Sequence, residues 1–383
     1  MVLNTLASDN LKLTRMTDDP QVVVAGHICL DITPAFINKK AIPLTELFIP
    51  GRLINMGDVN ISTGGSVSNT GIALQKLGIR TRLMGKIGHD LFGDCIIRLL
   101  EEQGSHEGLL IMDGEQTSYT IVIVPPGTDR MFLHNPGAND SFSSSDLNYD
   151  LIKQAALFHL GYPPLMRNLY RDEGKELSAI FKKVKDLGIT TSLDMSFPDR
   201  NSESGKADWK KILENTLPYV DIFLPSYEEI LYMIAPEEFE KMGGYINPHG
   251  LLENFNMDLL SRLSDEMLKM GAKIAGIKCG DKGFYARTGS LDQVANQGIS
   301  RPADISNWTE RELFEESYYV KKIASATGSG DASIAEFIPA YLNGLSIEEI
   351  LKIACADGAQ NITQFDALSG IENWKETIYL LHC

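Results

Sequence analysis

The spacing of apolar residues changes repeatedly along the chain. Val22-Val23-Val24-Ala25-Gly26 is an unbroken apolar run, the pattern of a strand buried on both faces. Short runs of the same kind at 81–87, 156–160, 190–194, 221–224, 274–278 and 283–286 predict further strands. Between them, apolar residues recur at helical spacing over 66–77, 92–103, 176–187, 257–270, 331–342 and 347–362, and one more helix falls between 194 and 221. Gly78, Gly104 and Gly188 stand just past three of these segments, where a helix commonly ends on a left-handed residue. Strands alternating with helices predict an α/β fold, with a mainly parallel central sheet and helices on both faces. Ligands of such sheets bind beyond the carboxyl ends of the strands.

Two stretches break the alternation. Residues 33–62 carry Pro34, Pro43, Pro50, Gly51 and Gly57 between short apolar runs, so they read as strands and turns, not helix. Residues 119–124 and 130–134 flank Pro125-Pro126-Gly127 and read as a hairpin. Arg130 and His134 alternate with Phe132 there and face either a substrate or solvent. No internal repeat or low-complexity tract is visible.

Composition narrows the class. With 383 residues the chain can bury a large core. Its net charge of −16 argues against a nucleic-acid partner. A small phosphorylated ligand stays open, because a local nest of N–H groups can outweigh the global field. The five cysteines are scattered, with no CxxC pair, which points to a reducing cytoplasm and no zinc site. The seven histidines show no HExxH-type spacing and read as core, cap or surface residues. Residues 1–20 are a polar extension without signal-peptide character, and no apolar stretch approaches the ~20 residues that span a bilayer. A cytoplasmic protein with no membrane contact is expected.

The densest chemistry lies at Gly328-Ser329-Gly330-Asp331, a tight turn leading straight into a helix. Such a turn collects free backbone N–H groups and the positive end of a helix dipole, which suits phosphate. Asp331 adds a carboxylate beside that anion hole, the pairing that phosphoryl transfer to a hydroxyl requires. A glycine-rich loop with Asp331 as a mere helix cap fits this segment equally well. No GxxxxGK[ST] loop occurs, and no GxGxxG follows a strand, so neither a P-loop enzyme nor a dinucleotide-dependent dehydrogenase is indicated.

A second segment shifts that balance. Thr63-Gly64-Gly65-Ser66 runs through Asn69 to Gly78 and on to Gly85-Lys86-Ile87-Gly88-His89-Asp90-Leu91-Phe92-Gly93. Together with the 328–331 turn it resembles the two signature regions of the ribokinase-like (PfkB) carbohydrate kinase family. Three further matches follow in order: Gly26-His27-Ile28-Cys29-Leu30-Asp31, Pro225-Ser226-Tyr227-Glu228-Glu229 and Lys278-Cys279-Gly280-Asp281-Lys282-Gly283. The resemblance covers roughly residues 21–370, with interruptions. It implies a kinase domain over 21–383 that transfers the γ-phosphoryl group of Mg-ATP to a hydroxyl of a small carbohydrate. Residues 33–62, and with them the hairpin near 118–134, resemble the family's β-rich lid, which often pairs with its copy in a homodimer.

The resemblance also implies residue roles. Asp331 would be the base, with the N–H groups of Gly328, Ser329 and Gly330 as anion hole. Asp31, Gly64, Gly65 and Asn69 would hold the sugar. Lys278, Gly280, Gly283, Thr327 and Asn361 fall on the nucleotide side, where a plain β-turn accounts for the glycines equally well. Glu229 would organise Mg²⁺ through water. Ser226 stands where the family has Asn, and it also reads as a helix N-cap with Glu229 as its capping-box partner. Ser325 stands where the family commonly has Asp, which counts against activation by a monovalent cation. Family members are usually shorter; the extra length falls at 201–206, 236–254 and 289–316, polar segments that read as surface loops. A nucleoside kinase shares fold and base, and a non-catalytic sugar sensor shares the fold. Retention of Asp331, the glycine turn and Glu229 speaks against the sensor.

Overall fold

The computed structural model describes residues 21–38, 40–103, 106–128, 130–244, 248–321, 328–362, 368, 370, 371 and 374. Its centre is an eight-stranded sheet. The strands are β1 (Val22–Gly26), β4 (Thr81–Met84), β9 (Leu157–Gly161), β10 (Thr190–Asp194), β11 (Ile222–Phe223), β12 (Ile274–Lys278), β13 (Gly283–Thr288) and β14 (Glu312–Glu316). Their order is β14-β13-β12-β11-β10-β9-β1-β4, parallel from β12 through β4, with β13 antiparallel to both neighbours. A second sheet of four strands, in the order β3-β2-β7-β8, joins β2 (Cys29–Phe36), β3 (Met56–Gly64), β7 (Tyr119–Ile123) and β8 (Met131–Asn135). The 33–62 strands and the 119–134 hairpin thus form one sheet, with Asp31 opposite Ser62 and Leu30 opposite Tyr119.

Alternation along the buried strands builds two cores. Val23, Ala25, Phe158 and Leu160 turn to one face and pack with Leu177, Ile180, Leu213, Ile230 and Leu263. Val22, Val24 and Leu157 turn to the other and pack with Val67, Leu74, Ile334, Phe337 and Ile350. Helices α1 (Ser66–Lys76) and α2 (Leu91–Gln103) lie on the second face; α3 (Lys175–Asp186), α4 (Trp209–Thr216), α5 (Tyr227–Ile234) and α6 (Met257–Lys269) lie on the first. In α3 the buried residues Leu177, Ile180, Phe181 and Val184 repeat at helical spacing. Each such side chain contributes about 1.5–3 kcal/mol when fully buried.

Two helices close the described chain on the second face, α7 (Ser329–Leu342) and α8 (Ile347–Asn361). Every residue from Asp331 to Tyr341 is buried. A helix buried on all sides lies inside, and this one brings its N-terminal Asp331 to Tyr162 at the carboxyl end of the sheet.

Three expectations need correction. The run 81–87 is two strands: after Gly85 the chain leaves the main sheet, and β5 (Lys86–Gly88) pairs with β6 (Leu110–Met112). Both halves are buried, so the apolar pattern carries no sign of the break. The segments 236–254 and 289–316 are not simple surface loops. Phe239, Leu251 and Trp308 are fully buried within them, and β14 supplies the sheet edge, its Glu-Leu-Phe-Glu-Glu sequence charged as edges usually are. One aromatic or leucine anchors an otherwise polar segment, which composition averages hide. Within 33–62 there is also a one-turn helix, Leu44–Leu47.

Candidate active site

Helix α7 starts two residues before the expected Asp331. Gly328 is its N-cap, at φ 74°, and offers no side chain to the first turn. Ser329, Gly330 and Asp331 are the first three helical residues. The N–H groups of a first turn have no intrahelical acceptor, and the helix dipole adds partial positive charge there.

Asp331 is 4% exposed, and three side chains hold its carboxylate. Tyr162 Oη donates to Oδ2 at 2.6 Å, Asn69 Nδ2 donates to Oδ2 at 3.0 Å, and Thr70 Oγ1 donates to Oδ1 at 3.1 Å. Asn69 and Thr70 come from the first turn and a half of α1. Tyr162 follows the carboxyl end of β9 in a left-handed conformation, φ 67°. Burial, reinforced by Asp331 and Asp194, holds the Tyr162 phenol well above its ordinary pKa, so it stays a donor.

Beside this group Lys278 Nζ donates to Asp194 Oδ1 at 2.6 Å, both side chains nearly inaccessible. Asp194 ends β10 and Lys278 ends β12. The ammonium lies 3.5 Å from the point a Cβ on Gly330 would occupy, directly against the first turn of α7. Burial lifts the Asp194 carboxyl against the pull of Lys278. Burial also acts to lower Lys278, but Asp194, Glu229 and Asp331 outweigh it and hold the ammonium above its ordinary value. Both partners move upward, and the lysine direction governs: one ammonium faces three carboxylates, so the proton stays on nitrogen. Glu229 Oε2 accepts from the Ser226 N–H at 2.7 Å while Ser226 Oγ accepts from the Glu229 N–H at 3.3 Å, a complete capping box for α5. The neighbouring Glu228 carboxyl is pushed up to about 7, chiefly by burial.

Just before α1, the Asp31 carboxylate lies against Gly64, 2.3 Å from where a Cβ would stand. Gly65 has φ 87°, and a Cβ there would meet His27 Nδ1 and the His27 carbonyl at 2.5 Å. Only glycine allows both the backbone turn and these approaches. Burial raises the Asp31 carboxyl, partly opposed by Cys29 and Thr120.

The structure therefore brings Asp331, Gly328, Ser329, Gly330, Asn69, Glu229 and Lys278 to one end of the sheet, with Asp31, Gly64 and Gly65 bordering them. Lys278 points into this group and not along the turn that follows it. In that turn Gly280 has φ 52° and Gly283 has φ 132°. A Cβ on Gly283 would lie 2.0 Å from the Glu315 carbonyl, so strand β14 alone explains that glycine. Asn361 is fully buried against Gly370 in the last turn of α8. The Ser226 hydroxyl accepts the cap bond from the Glu229 N–H. Thr327 and Ser325 lie outside the described residues, as does the extension 1–20. Among the described residues no three His, Cys, Asp or Glu side chains converge as a metal cage, and no helix is long and apolar enough to cross a membrane.

Sequence reasoning missed Thr70, Tyr162 and Asp194. Thr70 was legible as the neighbour of Asn69. Asp194 and Tyr162 stand at or just past the ends of β10 and β9, where the strand-end rule places ligand sites.

Residues 22–374 match the family model described as pfkB family carbohydrate kinase. An uncharacterized sugar kinase of Archaeoglobus fulgidus is 24% identical over 300 residues, 78% of this chain and 98% of that protein. Fructokinase-1 of Oryza sativa subsp. japonica is 25% identical over 332 residues, 83% of this chain and 88% of the relative. The fold is shared with the Arabidopsis thaliana ribokinase solved with ribose and ATP, at TM-score 0.69 and 19% identity, covering 95% of this chain and 99% of that one. With the family model spanning nearly the whole sequence and the glycine turn, Asp331 and the Gly64-Gly65 pair drawn to one end of a ribokinase-type sheet, the chain belongs to the pfkB family of carbohydrate kinases.

Proposed function

We propose that the protein transfers the γ-phosphoryl group of Mg-ATP to a hydroxyl of a small carbohydrate. The carrying observation is the Asp331 carboxylate, fixed by Asn69, Thr70 and Tyr162 in the first turn of α7. Asp331 accepts the proton of the attacking hydroxyl, which is a weak nucleophile until that proton moves. The N–H groups of Gly328, Ser329 and Gly330 would face the charge that develops on the transferring group, and Lys278 would add a fixed positive charge beside them. Asp31 accepts hydrogen bonds from sugar hydroxyls, while Gly64 and Gly65 let the sugar approach the backbone. The relatives named as sugar kinase and fructokinase, and the ribokinase held with ATP, support the same chemistry. The hard carboxylate oxygens of Glu229 suit Mg²⁺ held through water, and the bound ion would neutralise phosphate charge. The four-stranded sheet would serve as the lid, excluding water and pairing two subunits through its exposed Val59, Ile61, Phe132 and Leu133.

The test is ADP release with Mg-ATP across pentoses, hexoses, sugar acids, sugar phosphates and nucleosides, with Asp331→Asn in parallel. Turnover of a carbohydrate that falls about 10²–10⁴-fold in the variant is expected. Turnover confined to nucleosides would favour the nucleoside-kinase alternative, and unchanged turnover in the variant would remove Asp331 from the base role.

A further inference from the structure

Burying a polar side chain without a hydrogen-bond partner is costly and calls for an explanation. Near the Gly64-Gly65 turn several such groups gather. His27 is 2% exposed, and neither ring nitrogen has a partner among the described residues. His134 Nε2 is likewise buried and unpartnered, while its Nδ1 meets Thr120 Oγ1 at 3.0 Å. The two imidazole rings lie 5.1 Å apart at a tilt of 51°. Ser66 Oγ, beside Gly65, is also buried and unpartnered.

These groups are not scattered through the core. They complete a polar wall between the two functional carboxylates. From Asp31, Oδ1 accepts from Cys29 Sγ at 3.3 Å, and Cys29 Sγ meets Thr120 Oγ1 at 3.6 Å. Thr120 meets His134, and His134 faces His27. The His27 ring stands 6.2 Å from the Tyr162 ring, whose hydroxyl reaches Asp331. The chain of contacts from Asp31 to Asp331 thus passes through both imidazoles.

We infer that His27 and His134 are acceptor-recognition residues and that their wall selects an uncharged polyhydroxy compound over its phosphates and carboxylic acids; this deepens the carbohydrate-kinase reading and rests on it. A neutral imidazole carries one donor and one acceptor, the complement of a sugar hydroxyl or vicinal diol. Burial keeps both rings neutral: His134 is pushed down to about 4, and His27 is lowered by burial and by His134. Burial, and not a cationic partner, is the leading influence on Asp31, His27 and His134. An anionic acceptor lying here would bring its charge beside the buried Asp31 carboxyl and two neutral rings.

The experiment compares wild type, His27→Phe, His134→Phe and His134→Gln on D-fructose, D-ribose, D-fructose 6-phosphate and D-gluconate. It uses a coupled ADP assay and, without nucleotide, saturation-transfer NMR of sugar binding. Wild type is expected to turn over a neutral sugar and to disfavour the phosphate and the acid. Each Phe variant should raise KM for the sugar by roughly ten- to hundredfold, with kcat changed by less than about threefold, and His134→Gln should recover part of the loss. If His27→Phe does not fold, His134→Phe carries the test. Preference for the 6-phosphate or gluconate, or an unmoved KM in both Phe variants, overturns the inference while leaving the kinase reading intact. If no compound is phosphorylated, the kinase reading fails separately. NMR binding of a neutral sugar that His134→Phe weakens would then still support the wall, and absence of such binding would overturn it.

Discussion

His159 offers a perturbation whose size can be worked from the structure without knowing the substrate. It sits in the middle of β9, fully buried, with Nδ1 3.0 Å from Ser192 Oγ. Burial, aided by the nearby Lys278, pushes its pKa down to about 3. In the unfolded chain the ordinary value is about 6.5. Between those two values the unfolded chain binds a proton that the folded protein does not. Stability is therefore present above about 6.5 and is lost as pH falls toward 3. From pH 7 to pH 5 the loss works out at about 2 kcal/mol for this one group, at about 1.4 kcal/mol per unit. Asp31 and Glu228 act in the opposite direction, because their raised folded values add stability as pH falls. The total slope is thus a mixture, and the variant is needed to isolate the histidine. His159→Asn keeps a partner for Ser192 but cannot take up the proton. Urea unfolding followed by tryptophan fluorescence at pH 7, 6 and 5 gives the free energy of each protein. The variant is expected to be less stable at pH 7, from lost volume, and to narrow the gap to wild type by about 2 kcal/mol at pH 5. A gap that stays constant within about 0.5 kcal/mol would refute the claim that His159 is held neutral.

Lys278→Met should leave Asp194 buried without its ammonium and cost about 3–5 kcal/mol, visible as a lower urea midpoint; full stability would mean the pair is solvated. Gly283→Ala should destabilise the fold by more than about 1 kcal/mol and speed hydrogen exchange in β14, because its Cβ meets the Glu315 carbonyl. A change in the KM for ATP alone, with stability intact, would instead assign that glycine to the nucleotide. Tyr162→Phe should lower kcat by roughly ten- to hundredfold by removing one of the two donors that hold Oδ2 of Asp331, and an unchanged kcat would make Tyr162 a bystander.

The sequence carried the architecture because its strands are buried on both faces. Such strands are continuous apolar runs, and helical periodicity between them fixes the alternation whatever the strand order. The motifs carried part of the site for a local reason: Gly328, Gly64 and Gly65 need conformations or close approaches that only glycine supplies, so they mark the turns that hold Asp331 and Asp31. Strand order and register are long-range properties, and they decided the rest. Asn69 and Asp331 are 262 positions apart and Lys278 and Asp194 are 84 apart, yet each pair lies within hydrogen-bond distance because β1, β9, β10, β11 and β12 end at one level. Nothing local announces that a lysine after an apolar strand will turn inward to an aspartate, or that Tyr162 will reach the Asp331 carboxylate. The same holds for His27, which reads as an ordinary core, cap or surface residue, and in part for His134, whose alternation with Phe132 leaves substrate and solvent equally open. Only the packing of the small sheet against the ends of the large one buries them while leaving both nitrogens of His27 and Nε2 of His134 unpartnered among the described residues, and that pairing of burial with unmet hydrogen bonds is a property of the folded molecule alone.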